Sequence, residues 1–307
     1  IMRIFFFIIL VLFSISCFAQ DDLLDMLKEE SIANNNSIIF ATWKTMKLVN
    51  IHSTEIVKRN ALDFRVTHRF GNIGGESGGG VHTFYGLDNS SDIRISFDYG
   101  LTEKWQIGIG RSKYKEIVDL STKYKLLVQK EKKAPLTIVA FGAVSVTPER
   151  DPDSRYNDWQ NRLTYFTQVL FARKFGQRLS IELAPGVIHR NMVTKVLDGN
   201  GKTLTDENTN FTLSVGARYM ITKRVGIIVD YVHTFSEFRS NFGPQNYYDP
   251  FGVGVEIETG GHVFHLTLTN APAIIENAYM PETADSWAKG GIKLGFNISR
   301  VFQLGKH

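Results

Sequence analysis

The sequence feature that most constrains this chain is an alternation of polar and apolar residues that recurs in long segments after residue 60. The segment 92–100 (DIRISFDYG) puts apolar side chains on one face and polar residues or glycine on the other, and 211–221 and 291–299 largely repeat the scheme. Successive side chains of a strand point to opposite faces, so a two-residue period indicates β-strands with one apolar face. The alternation therefore predicts an all-β fold.

The number and length of these segments narrow the fold further. Most are nine to sixteen residues long, above the five or six typical of soluble sheets and in the range that a tilted strand needs to cross a bilayer. The predicted strands are 61–70, 91–101, 104–112, 118–130, 134–147, 160–175, 178–190, 210–221, 224–236, 251–259, 262–270 and 290–304. This favours a transmembrane antiparallel up-and-down β-barrel of about 12 strands over a soluble β-sandwich, which shares the alternation.

The predicted connections provide a second indication because they alternate between short and long. Outer-membrane barrels have short periplasmic turns and longer outer loops. The short connections are 102–103, 131–133, 176–177, 222–223 and 260–261, and the long ones are 71–90, 148–159, 191–209, 237–250 and 271–289. One connection, 113–117, lies on the side of the long loops but is itself short. Both ends of the barrel domain, 61–307, are then expected in the periplasm.

The first 60 residues lack this alternation. Arg3, an apolar run at 4–15 and a small residue at Ala19 are typical of a signal peptide cleaved after Ala19, although a lipidated Cys17 is an alternative. The segment 21–30 (DDLLDMLKEE) predicts a short N-terminal helix. The region 20–60 then continues through a polar linker into β-forming residues at 38–57, for which an extra strand, a periplasmic piece and a plug in the lumen all stay open.

Composition excludes several other classes of protein. The chain is 43% hydrophobic with a mean hydropathy of −0.11, values that a barrel shares with soluble proteins because its lipid-facing and lumen-facing residues average out. A formal net charge of +4 is too balanced to indicate a nucleic-acid partner. The single cysteine, Cys17, excludes disulfides and zinc–thiolate sites from the barrel. The expected partners are outer-membrane lipid, a small hydrophilic solute, and a periplasmic or surface protein.

The face opposite the apolar one is unusually rich in charge. If lipid surrounds the barrel, these residues line the lumen. The lumen-facing candidates are Asp63, Arg65, Arg69, Asp92, Arg94, Asp98, Asp119, Lys123, Lys125, Arg162, Arg178, Glu182, Arg190, Arg218, Asp230, Glu256, Glu258, His265 and Lys293. They could select solutes in a water-filled lumen, or pair across strands in a closed one, as Arg65 with Asp98 and Arg69 with Asp92 would. The sequence does not decide between these alternatives.

Catalytic and cofactor motifs are missing from the sequence. Among the histidines on predicted strands, His265 alone points inward, and no nucleophile motif accompanies it. The glycine-rich segment 74–80 lacks the Gly-Lys-Ser or Gly-Lys-Thr ending of a phosphate-binding loop, so an outer loop is expected there. We therefore predict no catalytic residues, no metal site and no cofactor, and a protein that is not an enzyme.

Four short motifs follow one another in a recognisable order: HRFG at 68–71, YGLD at 85–88, DYGL at 98–101 and IGIGRS at 107–112. With them the chain resembles a family of outer-membrane β-barrels of unknown function from Bacteroidota, over most of its length. The resemblance implies a barrel in the outer membrane. It implies no catalytic residues.

These observations lead to a first functional expectation, a channel or transporter for small hydrophilic solutes in the bacterial outer membrane. A non-conducting barrel that scaffolds a periplasmic or surface complex is the alternative, because a fold does not dictate a function. An outer-membrane hydrolase is a third possibility. It would require His265 as the base.

Overall fold

The computed structural model describes residues 42–74, 78–130, 134–150, 158–193, 195–197, 203–242 and 247–304. The strands are β1 (Ala61–Asn72), β2 (Ser90–Gly100), β3 (Trp105–Ser112), β4 (Val118–Leu127), β5 (Thr137–Val146), β6 (Leu163–Phe175), β7 (Leu179–Arg190), β8 (Lys195–Leu197), β9 (Thr203–Thr205), β10 (Thr209–Met220), β11 (Val225–Phe235), β12 (Phe251–Thr259), β13 (His262–Thr269) and β14 (Lys293–Gln303). All but β8 and β9 form one closed antiparallel barrel of 12 strands, with β1 paired to β14. The predicted fold class is confirmed.

The predicted strands agree with those in the structure to within a few residues at each end. The small β8–β9 hairpin, in the loop between β7 and β10, was not predicted. Two short α-helices also lie in loops, α1 (Glu237–Phe242) and α2 (Glu276–Glu282), as do the 3-10 turns Val81–Thr83, Tyr114–Glu116, Trp159–Arg162 and Trp287–Lys289. No helix in the described ranges is long and apolar enough to cross a membrane. The predicted signal peptide and the helix at 21–30 lie outside the described residues.

The barrel wall has the inverted polarity of a membrane barrel. On β7, Leu183 is 46% exposed while its neighbour Glu182 is fully buried. The register places Leu183 opposite Val215 on the outer surface, and Glu182 opposite Gly216 on the inner surface. Apolar side chains therefore face outward and charged ones face the lumen along both strands, as lipid outside the barrel requires.

The two ends of the barrel differ in their connections. At one end, here called the inner end, adjacent strands are joined by tight turns such as Gly260–Gly261, in which both glycines have positive φ. The inner end also holds the start of β1 and the end of β14. The opposite, outer end carries the long loops. Exposed aromatic residues lie near both ends, as in the aromatic girdles of membrane barrels: Trp105, Phe175, Tyr219 and Phe302 at the inner end, and Tyr165, Phe211, Tyr231 and Phe235 at the outer end.

Candidate functional site: a filled and charged lumen

Two segments enter the lumen from opposite ends. The N-terminal hairpin, residues 42–57, lies next to the inner end and turns back on itself, with Lys47 paired to His52 and the Leu48 amide donating to the Ile51 carbonyl at 3.0 Å. The lumenal loop, residues 270–291, connects β13 to β14 at the outer end and contains α2. Ile51 and the α2 residue Tyr279 have no exposed surface. Main chain from both ends thus fills the barrel.

Carboxylates of the wall hold the hairpin by its backbone. Asp230 on β11 accepts the Asn50 amide at 2.6 Å and the Ile51 amide at 3.2 Å through Oδ2, and the Asn50 side chain at 2.6 Å through Oδ1. Glu182 on β7 accepts the Thr54 amide at 3.1 Å. These amides at the turn have no strand partner, and buried N–H groups require an acceptor. The wall supplies it.

Lys123 on β4 binds the backbone carbonyls of the hairpin, as the two carboxylates bind its amides. Its Nζ donates to the carbonyl oxygens of Met46 at 3.0 Å, Ser53 at 2.9 Å and Glu55 at 3.2 Å. An ammonium has three N–H donors, so all of them are used on the hairpin. A predicted lumen-facing cation thus binds the main chain of the inserted hairpin.

The tip of the hairpin is apolar and sits against wall glycines. Leu48, Val49 and Ile51 are buried within a lumen whose wall is otherwise polar. A Cβ added at Gly216 would lie 2.9 Å from carbon atoms of both Leu48 and Ile51, and one at Gly252 would lie 2.5 Å from a Val49 methyl. Interiors pack without spare room for such atoms. The two glycines form a seat on β10 and β12 for the hairpin tip.

Arg69 on β1 holds the lumenal loop and the hairpin together. Its guanidinium donates to the carbonyls of Ala271, at 3.1 Å, and Ala273, and also to Asn50 Oδ1 at 2.7 Å. A guanidinium carries five donors in a fixed plane, which suits several carbonyl acceptors at once. One wall residue therefore contacts both inserted segments.

Asp92 on β2 accepts the Ile274 amide of the loop at 2.9 Å, together with the Ser112 hydroxyl and the Tyr114 amide. The register does place Asp92 opposite Arg69, as predicted. However, each uses its hydrogen-bonding groups on other partners. The charges at this level of the lumen bind main chain, a hydroxyl and the Asn50 side-chain amide.

The inserted segments also bind each other, through what we call the ionic latch, Lys47, His52 and Glu276. Glu276 Oε1 lies 2.6 Å from Lys47 Nζ and 3.2 Å from His52 Nε2. Burial alone would raise the pKa of the Glu276 carboxyl, but Lys47 and His52 hold that pKa well below its usual range. Burial, reinforced by the Lys47 charge, lowers the pKa of His52 well below its usual value. At neutral pH the latch therefore contains a carboxylate, Glu276, and a neutral imidazole, His52.

A large cavity and a small cavity lie beside the inserted segments. A vestibule of about 620 Å³ lies at the inner end between the hairpin and the wall formed by β12, β13, β14 and β1. An inner cavity of about 20 Å³ lies between the latch and the wall from β1 to β6. A volume of that size holds about one water molecule. The inner cavity itself therefore has no room for a solute larger than water.

Ion pairs account for most of the remaining lumen charges. Arg94 on β2 pairs with Asp119 on β4 at 2.6 Å. Arg65 pairs with Asp63 of its own strand at 3.3 Å. The expected pair of Arg65 with Asp98 does not form, because the register sets Ser96 opposite Arg65 and Asp98 opposite Asp63. At the other side of the lumen, Arg218 lies 3.4 Å from Glu256.

Most predicted lumen residues do face inward. Those with buried side chains are Asp63, Arg65, Arg69, Asp92, Asp119, Lys123, Glu182, Arg190, Arg218, Asp230, Glu256, His265 and Lys293, and those partly buried are Arg94, Asp98, Lys125 and Glu258. Arg162 lies instead in a 3-10 turn and donates to the carbonyls of Thr147 and Glu149, because β6 begins later than predicted. Arg178 lies exposed in the turn between β6 and β7.

Glu276, Lys47 and Asn50 are not among the lumen residues predicted from the sequence. All three lie on inserted segments, whose position depends on contacts with distant strands. One signal was available for the loop, since residues 271–280 (APAIIENAYM) are more apolar than a solvated outer loop requires. An apolar run in a predicted outer loop indicates that the loop is buried.

The lumen does not assemble a catalytic site around His265. Its Nε2 lies 3.4 Å from Thr45 Oγ1 and 3.3 Å from Glu256 Oε2, so the same nitrogen faces both groups. A nucleophile, base and orienting acid need the two ring nitrogens to serve different partners. Within the described ranges, no group of three or more His, Cys, Asp or Glu residues is arranged to hold a metal ion.

Comparison with solved structures finds other barrels of similar extent. The COG4313 outer membrane channel from Pseudomonas putida F1 is 12% identical, with 83% of this chain and 100% of that chain covered at a TM-score of 0.47. The NanC porin is 9% identical, with 78% and 98% covered at a TM-score of 0.46. At these values the likeness carries no argument about solute or mechanism. No curated protein matches the chain significantly.

A family model matches residues 43–302 and is described as a membrane-bound beta barrel domain, DUF5777. The match spans the hairpin and the twelve barrel strands except for residue 42 and the last residue of β14, which is well over half of the chain. It agrees with the location predicted from the sequence, a membrane crossed by the barrel. An origin in Bacteroidota stays a prediction. The chain belongs to this family of membrane-bound β-barrel domains.

Proposed function

We propose that this barrel is an outer-membrane channel for small hydrophilic solutes whose lumen is narrowed to closure by the N-terminal hairpin. One observation carries the proposal: the wall holds the hairpin largely through charged side chains, Asp230, Glu182 and Lys123, that bind its backbone. Water or a polar solute can replace main chain as the partner of each of these groups. The wall thus suits an aqueous pore as well as it suits the hairpin.

The strand number supports the same function. An eight-stranded barrel can be filled by wall side chains alone, whereas sixteen strands leave an aqueous channel. Twelve strands enclose a space between these limits, and this chain fills it with inserted main chain rather than with larger wall residues. A lumen built only for stability would not require the glycine seat at Gly216 and Gly252, which makes room for the hairpin.

The test is conductance in planar bilayers of the full chain and of a variant lacking residues 21–57, the deletion that removes the hairpin. We expect discrete steps that are larger and more frequent in the variant, because the wall carboxylates and ammonium would then face water. Circular dichroism and electrophoretic mobility before and after heating would show that both barrels are folded. Silence from both folded forms would contradict the channel.

A second candidate, a non-conducting scaffold, is favoured by one observation. The N-terminal hairpin and the lumenal loop fill the lumen from opposite ends, and the ionic latch joins them through Lys47 and Glu276. A stoichiometric protein partner recovered with the folded barrel, together with silent bilayers, would support the scaffold. Conductance steps in the deletion variant would rule it out as the sole function.

A further inference from the structure

The vestibule and the inner cavity lie on the same side of the lumen. The hairpin tip packs on the seat at Gly216 and Gly252 and on Asp230, which belong to β10, β12 and β11. The vestibule and the inner cavity are both lined by β1, and neither is lined by β7, β10 or β11. The hairpin tip is therefore seated off-centre, toward β10 to β12, and both of these cavities lie along the β1 side.

The two cavities meet at a common boundary. Met46, on the hairpin, and Arg65, on β1, line both of them. The direct route from the vestibule to the inner cavity runs between the Met46 side chain and the Arg65 guanidinium. A methionine side chain is unbranched and flexible, so it can vacate such a gap without displacing the backbone of the hairpin.

Beyond this gap the inner cavity contains an unused donor. Arg94 lines the cavity, and two of its contacts go to Asp119, but its buried Nε has no hydrogen-bond partner in the described part of the chain. Buried donors without partners are rare in folded proteins and indicate an absent water or ligand. The cavity beside Arg94 is the place from which a water molecule or a polar solute group can supply the acceptor.

We propose that the conducting path of this barrel is an off-centre passage along β1 to β4, running from the vestibule through the gap between Met46 and Arg65 to Arg94, while the hairpin tip stays on its glycine seat. For solutes, this inference rests on the proposed channel function. For water and small reagents, the inferred passage does not depend on the channel function. Arg65 and Arg94 are then the specificity-determining cations of the path, set opposite the carboxylates of Asp98 and Asp119.

Cysteine labelling tests the passage. The three serines chosen all point inward: Ser96 and Ser121 line the inner cavity, and Ser214, on β10, is fully buried and serves as the matched control. The unsubstituted chain, with Cys17 alone, is the labelling blank. The probe is a small charged methanethiosulfonate added to the folded protein. We expect S96C and S121C to react about tenfold or more faster than S214C, because closed regions react only on local opening.

Each outcome decides the question. Faster reaction at Ser96 and Ser121 supports the passage, and a drop of any conductance upon that modification would also support its use by solutes. Reaction of S214C at an equal or higher rate, or no reaction at any of the three positions, would overturn the proposal. Faster labelling of S96C in a folded barrel that never conducts would retain the water path and reject the channel function, so the two failures are distinguishable.

A charge substitution gives a second readout. Arg94→Gln removes one cation from the path and leaves Asp119 behind, so the reversal potential in a salt gradient should shift toward cation selectivity. Arg218→Gln is the control, because this guanidinium is buried on β10 and lines neither cavity. A larger shift for the Arg218 variant than for the Arg94 variant would place the path on the other side of the lumen and contradict the inference.

Discussion

Asp230 illustrates what a single charged residue does in this lumen. It accepts three hydrogen bonds from the hairpin turn, two of them from backbone amides. Hydrogen bonds to a charged group contribute roughly 1.5–3 kcal/mol each, and amides left without an acceptor add a penalty. A wall carboxylate is thus a determinant of hairpin position beside the buried apolar residues of the tip.

We expect Asp230→Ala to loosen the hairpin without opening the barrel wall. Loss of even one such bond, at the lower limit of about 1.5 kcal/mol, raises the population of the released hairpin about tenfold or more. Trypsin cleavage at Lys44 or Lys47, followed by mass spectrometry, measures this population. Thr212→Ala is the control, since its buried hydroxyl has no partner among the described residues. Equal cleavage rates in the two variants would show that Asp230 does not hold the hairpin.

His52 gives the hairpin a dependence on pH. The charged and titratable groups that face it are Lys47, Glu276 and Lys123, and its Nδ1 has no hydrogen-bond partner in the described part of the chain. Burial lowers the pKa of His52 well below 6.5, so the seated hairpin binds fewer protons than a released one. The seated state is therefore favoured above pH 6.5 and loses stability as the pH falls below it, by up to about 1.4 kcal/mol per pH unit.

The corresponding experiment is hydrogen exchange of the Asn50 and Ile51 amides between pH 7.5 and 5, corrected for intrinsic exchange rates. Protection should fall with pH in the unmodified chain and fall distinctly less in His52→Gln, which cannot take up a proton. Loss of the Glu276 charge would add to the effect only at lower pH, because the pKa of this carboxyl is held below its usual 4.5. Protection that is flat in the unmodified chain would contradict the role of His52.

The face of the wall on which a charged residue lies could be predicted from the sequence alone. The two-residue period assigned most charged residues to the inward face because a strand allows only two faces. It could not assign partners, and Arg65 paired with Asp63 instead of Asp98. Partners depend on the register between strands, which turn geometry and side-chain packing determine together.

At the scale of elements, the hairpin and its glycine seat depend on each other. Gly216 and Gly252 lie on different strands, more than 150 residues from the hairpin in sequence, and their side-chain positions are occupied by Leu48, Val49 and Ile51. No local pattern in 38–57 contains that information. This is why the sequence left an extra strand, a periplasmic piece and a plug as equal alternatives.

We expect Gly252→Leu to displace the hairpin tip, because its Cβ alone would lie 2.5 Å from a Val49 methyl. The expected result is higher conductance and faster cleavage at Lys47. Gly142→Leu is the control, since a Cβ there meets its nearest neighbour, a Thr122 methyl, at 3.9 Å. Val49→Gly should restore the closed behaviour of Gly252→Leu. Failure of this rescue would mean that Gly252 acts through the wall and not through the hairpin.

At the scale of the whole molecule, the barrel inverts the usual arrangement of a folded domain. Its apolar residues face outward and its charges lie inside, so lipid provides the apolar environment that a core provides elsewhere. This arrangement was predictable from strand length and alternation, since both are local. Closure of the lumen was not, because it depends on the two inserted segments.

A lipid-face substitution tests this arrangement. Leu183, in the middle of β7, lies between Phe171 and Val215 on the outer surface. Leu183→Arg should lower the free energy of unfolding by about 2–4 kcal/mol in urea titrations in liposomes, because it places a charge in the hydrocarbon region. Leu304→Arg, just after β14 at the inner end, should cost about 0–1 kcal/mol. Equal costs would mean that β7 does not face lipid.

The seam between β1 and β14 has a consequence for assembly. It joins the first and last strands of the wall, so the ring can close only after β14 has been delivered. The hairpin immediately precedes β1, and its end is tied to the neighbouring strands, with Val57 bound to Gln106 and Asn60 to Gly100. We therefore expect the hairpin to be in place inside the barrel before β1 and β14 pair. The hairpin then does not have to enter a barrel that has already closed.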